Sequence, residues 1–394
     1  MELSWIEAGD VIVKRGGSVN PSKHHDEVFE LYSVPAFDTR QPEIAIGSDI
    51  GSAKQNLKPK DVLLCKIVPH IRRSWVVGQD NGLRLIGSGE WIVFRSEKFW
   101  PDYLRHLLVS DWFHARFMQT VAGVGGSLLR ARPAEVAKIK IPLPPLKEQK
   151  RVASILDKAD ALRQKRCKAI AKLQELVQSV FLDVFGDPVT NPKRWGRVKF
   201  GELIKTLTDY HANGSYKALK EHVELLDTPD FALMIRTTDL ENNNFINGVK
   251  YISKGAYDFL SKSKVYGEEI IINKIGSAGE VYFMPTLNRP VSLGMNQFLI
   301  RTNRKVLTKY VYHYLKTPYG DSLIKSNVRG AVTKTITKNA VREIDILLPP
   351  LIKQKEFINK LGYISKLSRY NLRHSEKLDT FFNSLQQRAF KGEL

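Results

Sequence analysis

Cysteine is nearly absent from this 394-residue chain, with Cys65 and Cys167 the only two, in unrelated settings. Neither a disulfide framework nor a cysteine-based metal cluster is indicated, so a reducing compartment, the cytoplasm, is expected. No apolar run approaches the roughly 18 residues of a membrane span. The first residues, Met1-Glu-Leu-Ser-Trp-Ile-Glu7, carry acids where a secretory signal needs a basic region and an apolar core. There is no Gly-x-x-x-x-Gly-Lys-Ser/Thr phosphate loop, which speaks against ATP hydrolysis by this chain. There is no Asn/Asp-Pro-Pro-aromatic motif of the adenine methyltransferases. Both Pro-Pro pairs lie between leucines, at Leu143–Leu146 and Leu348–Leu351. Pro101-Asp102 and Pro229-Asp230 lack the Glu-x-Lys that would complete a nuclease motif. His24-His25 has no metal-ligand company and reads as a solvated loop. Gly123-Val-Gly-Gly126 reads as a turn rather than a phosphate loop. No catalytic constellation emerges.

What is present in excess is positive charge. Sixty-one Lys and Arg stand against 41 Asp and Glu, a net +20. Such an excess costs self-repulsion in the folded state and points to a polyanionic partner, nucleic acid first. A membrane surface or mere solubility are the plainer alternatives. The basic residues are not gathered into a tail, which weighs against the membrane.

The chain also repeats itself. Ile141-Pro-Leu-Pro-Pro-Leu-Lys-Glu-Gln-Lys150 aligns without a gap with Ile346-Leu-Leu-Pro-Pro-Leu-Ile-Lys-Gln-Lys355, 205 residues later. The same offset pairs Gly125 with Gly330, Val136 with Val341, Leu156 with Leu361 and Phe185 with Phe390. Further upstream, small insertions shift the register. Tyr103-Leu-Arg-His106 then answers Tyr310-Val-Tyr-His313, and Asp61-Val-Leu-Leu-Cys-Lys-Ile67 answers Glu269-Ile-Ile-Ile-Asn-Lys-Ile275. Two copies, about 1–187 and 188–394, share a frame and differ in their interiors, as expected of two homologous modules that read different things.

Each copy divides in two. The first part mixes short strands, Val62–Ile67, Trp91–Phe94, Ile270–Ile275 and Gln297–Ile300, with helices over Pro101–Val109 and Lys309–Lys316. The second part, after each Pro-Pro, is one long helix. A seam at spacings of three and four runs through Val152, Ile155, Ala159, Leu162, Arg166, Ala169, Leu173, Leu176, Val180 and Asp183. Its counterpart includes Phe357, Leu367, Asn371, Leu378, Phe381 and Leu385. Helices of this kind pair as coiled coils. A short Gly186-Asp-Pro188 turn between the first helix and the second module favours an antiparallel pair, since a parallel one would require the module to carry the chain back the full helix length. Arg166 and Asn371, at matching seam positions, read as polar residues on a wet rod surface more readily than as a register lock. The expected fold class is α+β. Two globular α/β modules, 1–143 and 188–348, are joined by long antiparallel coiled-coil helices, 144–187 and 349–394, with an internal pseudo-two-fold repeat.

Three basic segments, each with small polar or aromatic neighbours, stand out as DNA contacts. Lys66 to Trp75 supplies Lys66, Arg72 and Arg73. Met234 to Leu240 supplies Arg236, Thr237 and Thr238. Ser326 to Thr335 supplies Arg329, Thr333 and Lys334. The loop Lys274-Ile-Gly-Ser-Ala-Gly279, with Lys274 and Ser277, offers close backbone approach to a phosphate.

Several of these features resemble one family, the DNA-specificity subunit of type I restriction-modification systems. The resemblance rests on Pro142 to Asp157 with its following helix, the exit Phe181-Leu-Asp-Val-Phe-Gly-Asp187, the weaker copy ending Ala389-Phe-Lys-Gly-Glu-Leu394, and Ile235 to Leu240 with Lys274 to Ser277. The second copy departs at Ile352-Lys353, where the first has Lys147-Glu148. The resemblance implies two target-recognition domains that each read one half of a split, asymmetric sequence in double-stranded DNA. It also implies a helical rod that sets the spacer and docks two methyltransferase subunits. Those partners would supply S-adenosylmethionine chemistry, and restriction/translocase subunits would supply ATP- and magnesium-dependent cleavage. This chain would bind no cofactor or metal and catalyse nothing. Competing readings are a specificity subunit of another DNA-methyltransferase complex, a coiled-coil scaffold with incidental charge, and a nucleic-acid enzyme with unrecognised residues.

Overall fold

The computed structural model describes residues 4–123 and 129–394; part of the Gly123–Gly126 cluster lies outside them. The chain forms two compact units, residues 1–169 with 371–394, and residues 170–370. Both long helices, Leu146–Phe185 and Leu351–Lys391, are therefore divided between the units.

The first unit is built on an antiparallel sheet ordered Ser74–Val76, Val62–Cys65, Trp91–Phe94. Val62–Cys65 is apolar and buried at every position because both faces are covered. Val62, Leu64, Ile92 and Phe94 pack on Tyr103, Leu104 and Leu107 of helix Pro101–Val109, and on Leu156 and Phe390 of the long helices. Leu63, Cys65, Trp91 and Val93 face Tyr32 and Leu85 instead. A second, five-stranded sheet carries Val28–Tyr32 and Arg84–Gly87 as its parallel pair. Strand Ser4–Glu7 pairs antiparallel with Lys140–Leu143, delivering the chain to Pro144 and the helix.

The second unit repeats this plan. Its antiparallel sheet runs Ile204–Asp209, Gln297–Thr302, Ile270–Asn273, Val281–Phe283. Ile270, Ile272, Phe298 and Ile300 pack on Tyr310 and Tyr314 and on Phe181, Phe185 and Phe357 of the long helices. Ile271 and Leu299 face Leu233 and Leu293 of a second four-stranded sheet. Gly196–Lys199 pairs with Asp345–Leu348 just before the second long helix. Each unit also sets a buried acid against an arginine at a matching position, just before its central strand. Asp61 takes two bonds of 2.6 Å from Arg95, and Glu269 takes bonds of 3.2 and 3.1 Å from Arg301.

The glutamine of the repeated Pro-Pro-Leu-x-x-Gln motif explains part of that motif's form. Gln149 is fully buried; its Oε1 accepts from Trp100 N–H at 2.7 Å and its Nε2 donates to the Lys98 and Pro144 carbonyls at 2.9 and 2.8 Å. Gln354, equally buried, accepts from Leu307 N–H and donates to the Pro349 carbonyl, both at 2.8 Å. In each copy one side-chain amide ties the helix entry to the loop before the module's helix. Gln354→Leu keeps the volume and leaves two buried backbone groups unpaired. It is expected to cost about 1–3 kcal/mol, read as a fall in the urea midpoint of the second unit. A midpoint within error of the wild type would show the tie to be dispensable.

The first long helix ends at Gly186, whose φ of +79° suits a left-handed terminus; its N–H donates to the Leu182 carbonyl at 2.8 Å, and Lys193 Nζ reaches the Asp183 and Val184 carbonyls at 2.7 and 2.8 Å. Within the first unit the two helices run antiparallel. Arg151 reaches the Leu394 carbonyl, Arg163 Nε donates to Asp379 at 2.6 Å, and Arg166 bonds Asn371. The seam differs from the expected one. Asn371 is buried and bonded to the partly exposed Arg166, so the asparagine end of this polar pair lies inside the packing and not on a wet surface. Leu162 and Leu176 are about half exposed, while Arg163 stacks over Phe382 at 4.5 Å. Phe382 is buried and Phe381 exposed, one position from the expected seam. A planar guanidinium that stacks on a ring and salt-bridges an acid takes the place that spacing alone assigned to a leucine.

Candidate nucleic-acid interface

In both units the aligned lysine directly follows a strand and stands at a junction of three segments. In the first, Lys66 N–H donates to the Glu90 carbonyl at 2.9 Å, and the Lys66 carbonyl accepts from Ala131 N–H at 2.8 Å. In the second, Lys274 N–H donates to the Asn296 carbonyl at 2.7 Å, and its carbonyl accepts from Ile336 N–H at 3.0 Å. Bridges Ile67–Arg130 and Ile275–Thr335 complete the match. Lys66 and Lys274 thus hold one architectural position in two copies. Arg130 was not singled out from the sequence, although its place six residues before Val136 in the shared frame held the signal.

Around Lys66 the arginines are engaged. Arg72, in a backbone turn with φ of +29°, reaches the Asp111 carboxylate. The Arg73 side chain is 13% exposed with Nε 3.6 Å from Asp38. Trp75 belongs to the core, its ring 4.7 Å from that of Tyr32. Arg130 donates to Glu90 at 3.2 Å and remains half exposed.

The second unit brings more of the expected residues together. Gly276 N–H donates to the Lys334 carbonyl at 3.2 Å, and Arg329 and Thr335 exchange backbone bonds of 2.8 and 2.7 Å around a tight loop. Gly330 turns that loop: its φ is +104°, and a Cβ there would lie 2.2 Å from the Thr333 carbonyl oxygen. Arg329, Thr333 and Lys334 are all exposed on it. Thr237 Oγ1 donates to Asn273 Oδ1 at 3.4 Å, Asn273 Nδ2 donates to Ser277 Oγ at 2.8 Å, and Ser277 donates to Glu241 at 3.2 Å. So Thr237, Ser277, Lys274, Arg329, Thr333 and Lys334 surround one strand end. Thr238 is exposed beside them. Arg236 is bound to the buried Asp239 at 2.7 Å and serves the start of its own short helix.

Sequence reasoning missed the acid at the centre. Asp209 is 8% exposed and holds Lys338 Nζ at 3.0 Å and Lys274 Nζ at 3.4 Å. His211 Nδ1 lies 3.4 Å from the same Lys274 ammonium. Burial alone would raise the Asp209 carboxyl; the bonds from Lys338 and then Lys274 outweigh it and hold the group below its ordinary value. Burial, and then the charge of Lys274, keep the His211 imidazole below its own. The cluster is therefore one carboxylate, two ammoniums and a neutral ring, a cation overall at neutral pH. Nothing local in the sequence signals it, since Asp209 and Lys338 are 129 residues apart.

Among the described residues no group of His, Cys, Asp and Glu is arranged to hold a metal ion, and no helix is long and apolar enough to cross a membrane. The fold and this surface define a duplicated α+β protein that presents a basic loop junction in each unit. The family model for the type I restriction modification DNA specificity domain matches residues 102–174 and 192–377, more than half of the chain. The chain belongs to this family of type I restriction-modification specificity subunits. It is 26% identical over 315 residues to a Methanocaldococcus jannaschii protein provisionally named the type I restriction enzyme MjaX specificity subunit, covering 75% of this chain and 69% of that one. It is 21% identical over 387 residues to the type I restriction enzyme StySPI specificity subunit of Salmonella potsdam, covering 91% and 80%. A solved chain described under complex assembly and conformational transition of the type I R-M system aligns over 100% of this chain and 98% of its own, at 18% identity and a TM-score of 0.59. At that identity the likeness is one of fold.

Proposed function

We propose that this chain is the non-catalytic DNA-specificity subunit of a type I restriction-modification complex, reading a bipartite, asymmetric sequence in double-stranded DNA with one unit per half. The observation that carries this reading is the equivalent placement of Lys66 and Lys274, each at a loop junction whose surrounding side chains differ between the copies. A shared frame fixes where DNA is met; unlike loops fix which bases are read. In this reading residues 1–143 and 188–348 are the target-recognition domains. The helices 144–187 and 349–394 form an antiparallel coiled coil that sets the spacer and docks two methyltransferase subunits. A 40-residue helix is about 60 Å long, ample for half-sites about 34–36 Å apart. S-adenosylmethionine belongs to the methyltransferases, and ATP and magnesium to restriction/translocase subunits, all in the cytoplasm.

The test is to purify the chain with its partners and map methylated positions across a genome. A single split motif with two separated adenines is expected. Scattered methylation, or none, overturns the reading.

A further inference from the structure

The two copies also differ at a surface outside the loop junctions. In the first unit, Trp5, Trp112, Arg116, Arg132, Lys138 and Lys140 line an open groove of about 580 Å³, together with Glu135. The rings of Trp5 and Trp112 lie 5.6 Å apart, and the Arg116 guanidinium stacks on Trp112 at 4.1 Å. Trp5 is 46% exposed, a large aromatic that the fold leaves uncovered. Four cations face one lining acid; Glu135 pairs with Lys138 at 2.9 Å, and Glu7 stands opposite Lys140 in the strand ladder.

The second copy provides an internal comparison. Strand register places Arg197 where Trp5 stands, opposite Leu347 as Trp5 is opposite Pro142. Tyr319 takes the place of Trp112, each being the second residue of a helix capped by Thr317 or Ser110. There the surface is closed on itself. Arg197 donates to Tyr319 Oη at 2.8 Å, and Lys199 binds Asp345 at 2.9 Å. Leu323 replaces Arg116 and packs against the core, while Thr337, Glu343 and Asp345 replace Arg132, Lys138 and Lys140. The shared fold does not demand Arg116, Arg132 and Lys138, because the second copy folds the same way with Leu323, Thr337 and Glu343 there; in the strand pair the charges are exchanged, Glu7 and Lys140 against Lys199 and Asp345.

Continuity indicates the occupant. Arg132, whose Nε reaches the Thr120 carbonyl at 3.4 Å, lies two residues beyond Arg130 of the Lys66 junction. The groove begins where the candidate interface ends. We propose that it binds the phosphate backbone of duplex DNA flanking the first half-site, so that the chain grips DNA beyond its target on the first unit and not on the second. Lys138, Lys140 and Arg132 neutralise phosphates, and Trp5 packs against the sugar edge. The inference rests on the DNA-specificity reading and extends it to sequence-independent contacts on one side.

The experiment measures binding of the full chain to mixed-sequence duplex DNA across a salt series. Each phosphate contact contributes about 0.9 to the slope of log affinity against log salt. Arg132→Ala, Lys138→Ala and Lys140→Ala combined are expected to lower the magnitude of that slope by about 2–3. Trp5→Ala should weaken binding several-fold with the slope unchanged. Arg197→Ala with Lys199→Ala, at the second copy's equivalent surface, should leave both unchanged. A wild-type slope in the triple variant, or an equal loss in the second-copy pair, overturns the inference, as does failure of the wild-type chain to bind duplex at all. Methylation mapping separates the two claims. A split motif with an unaltered slope keeps the function and rejects the groove, whereas a lowered slope without any split motif rejects the specificity reading, and with it the flanking role, and leaves the groove only a sequence-independent phosphate contact.

Discussion

Phe357→Ala is expected to destabilise the second unit by about 3–5 kcal/mol. Its ring is fully buried and meets Phe181 at 5.5 Å, Phe185 at 5.2 Å and His313 at 5.4 Å. Removing it opens a cavity where both long helices join the sheet, with aromatic neighbours too rigid to collapse into it. Because two units need not unfold together, the readout is local: hydrogen exchange at the amides of Ile270–Asn273 should accelerate by about two to four orders of magnitude. Phe381→Ala, at a ring 56% exposed, should change exchange little. Equal protection in Phe357→Ala and wild type would show that the aromatic cluster does not hold the unit together.

Lys274→Glu is expected to weaken DNA binding by about 2–3 kcal/mol, roughly 30- to 150-fold. The substitution removes one ammonium and sets a second carboxylate near Asp209, which now lies 3.4 Å from Lys274 Nζ. A cationic cluster becomes anionic where phosphate is expected, and only Lys338 remains to compensate. Lys274→Met removes the charge without reversing it and should lose less. Lys334→Glu, on the exposed loop, should also lose less, since solvent screens it. Competition binding on a duplex carrying the methylated motif measures all three. Undiminished affinity in Lys274→Glu would remove this lysine from the interface.

Much of the architecture was legible because it is written at fixed spacing. The strands at Val62, Trp91, Ile270 and Gln297 and the helices at Pro101 and Lys309 announce themselves as apolar runs or amphipathic turns, and the structure places elements at each, with ends differing by up to two residues. The aligned Asp61 and Glu269 carried a buried ion pair whose arginines, Arg95 and Arg301, were not foreseen. Seam positions failed where Arg163 and Phe382 replaced the expected leucine and Phe381, because helix spacing cannot tell which of two adjacent positions a partner helix covers. For the same reason spacing alone leaves the Arg166–Asn371 pair looking solvated, although Asn371 is buried.

The sequence by itself determined the duplication, the long helices after each Pro-Pro, the positive charge and the equivalence of Lys66 with Lys274. These rest on local periodicity, composition and self-comparison, which need no coordinates. Only the tertiary structure decided which charges are available. It committed Arg236 to Asp239 and Arg72 to Asp111, joined Lys274 to Lys338 through Asp209, and left the Trp5 groove open in one copy while Arg197 and Tyr319 close it in the other. Whether a cation faces solvent or an acid depends on residues 100 or more positions away as readily as on neighbours, and that pairing exists only once the chain has folded.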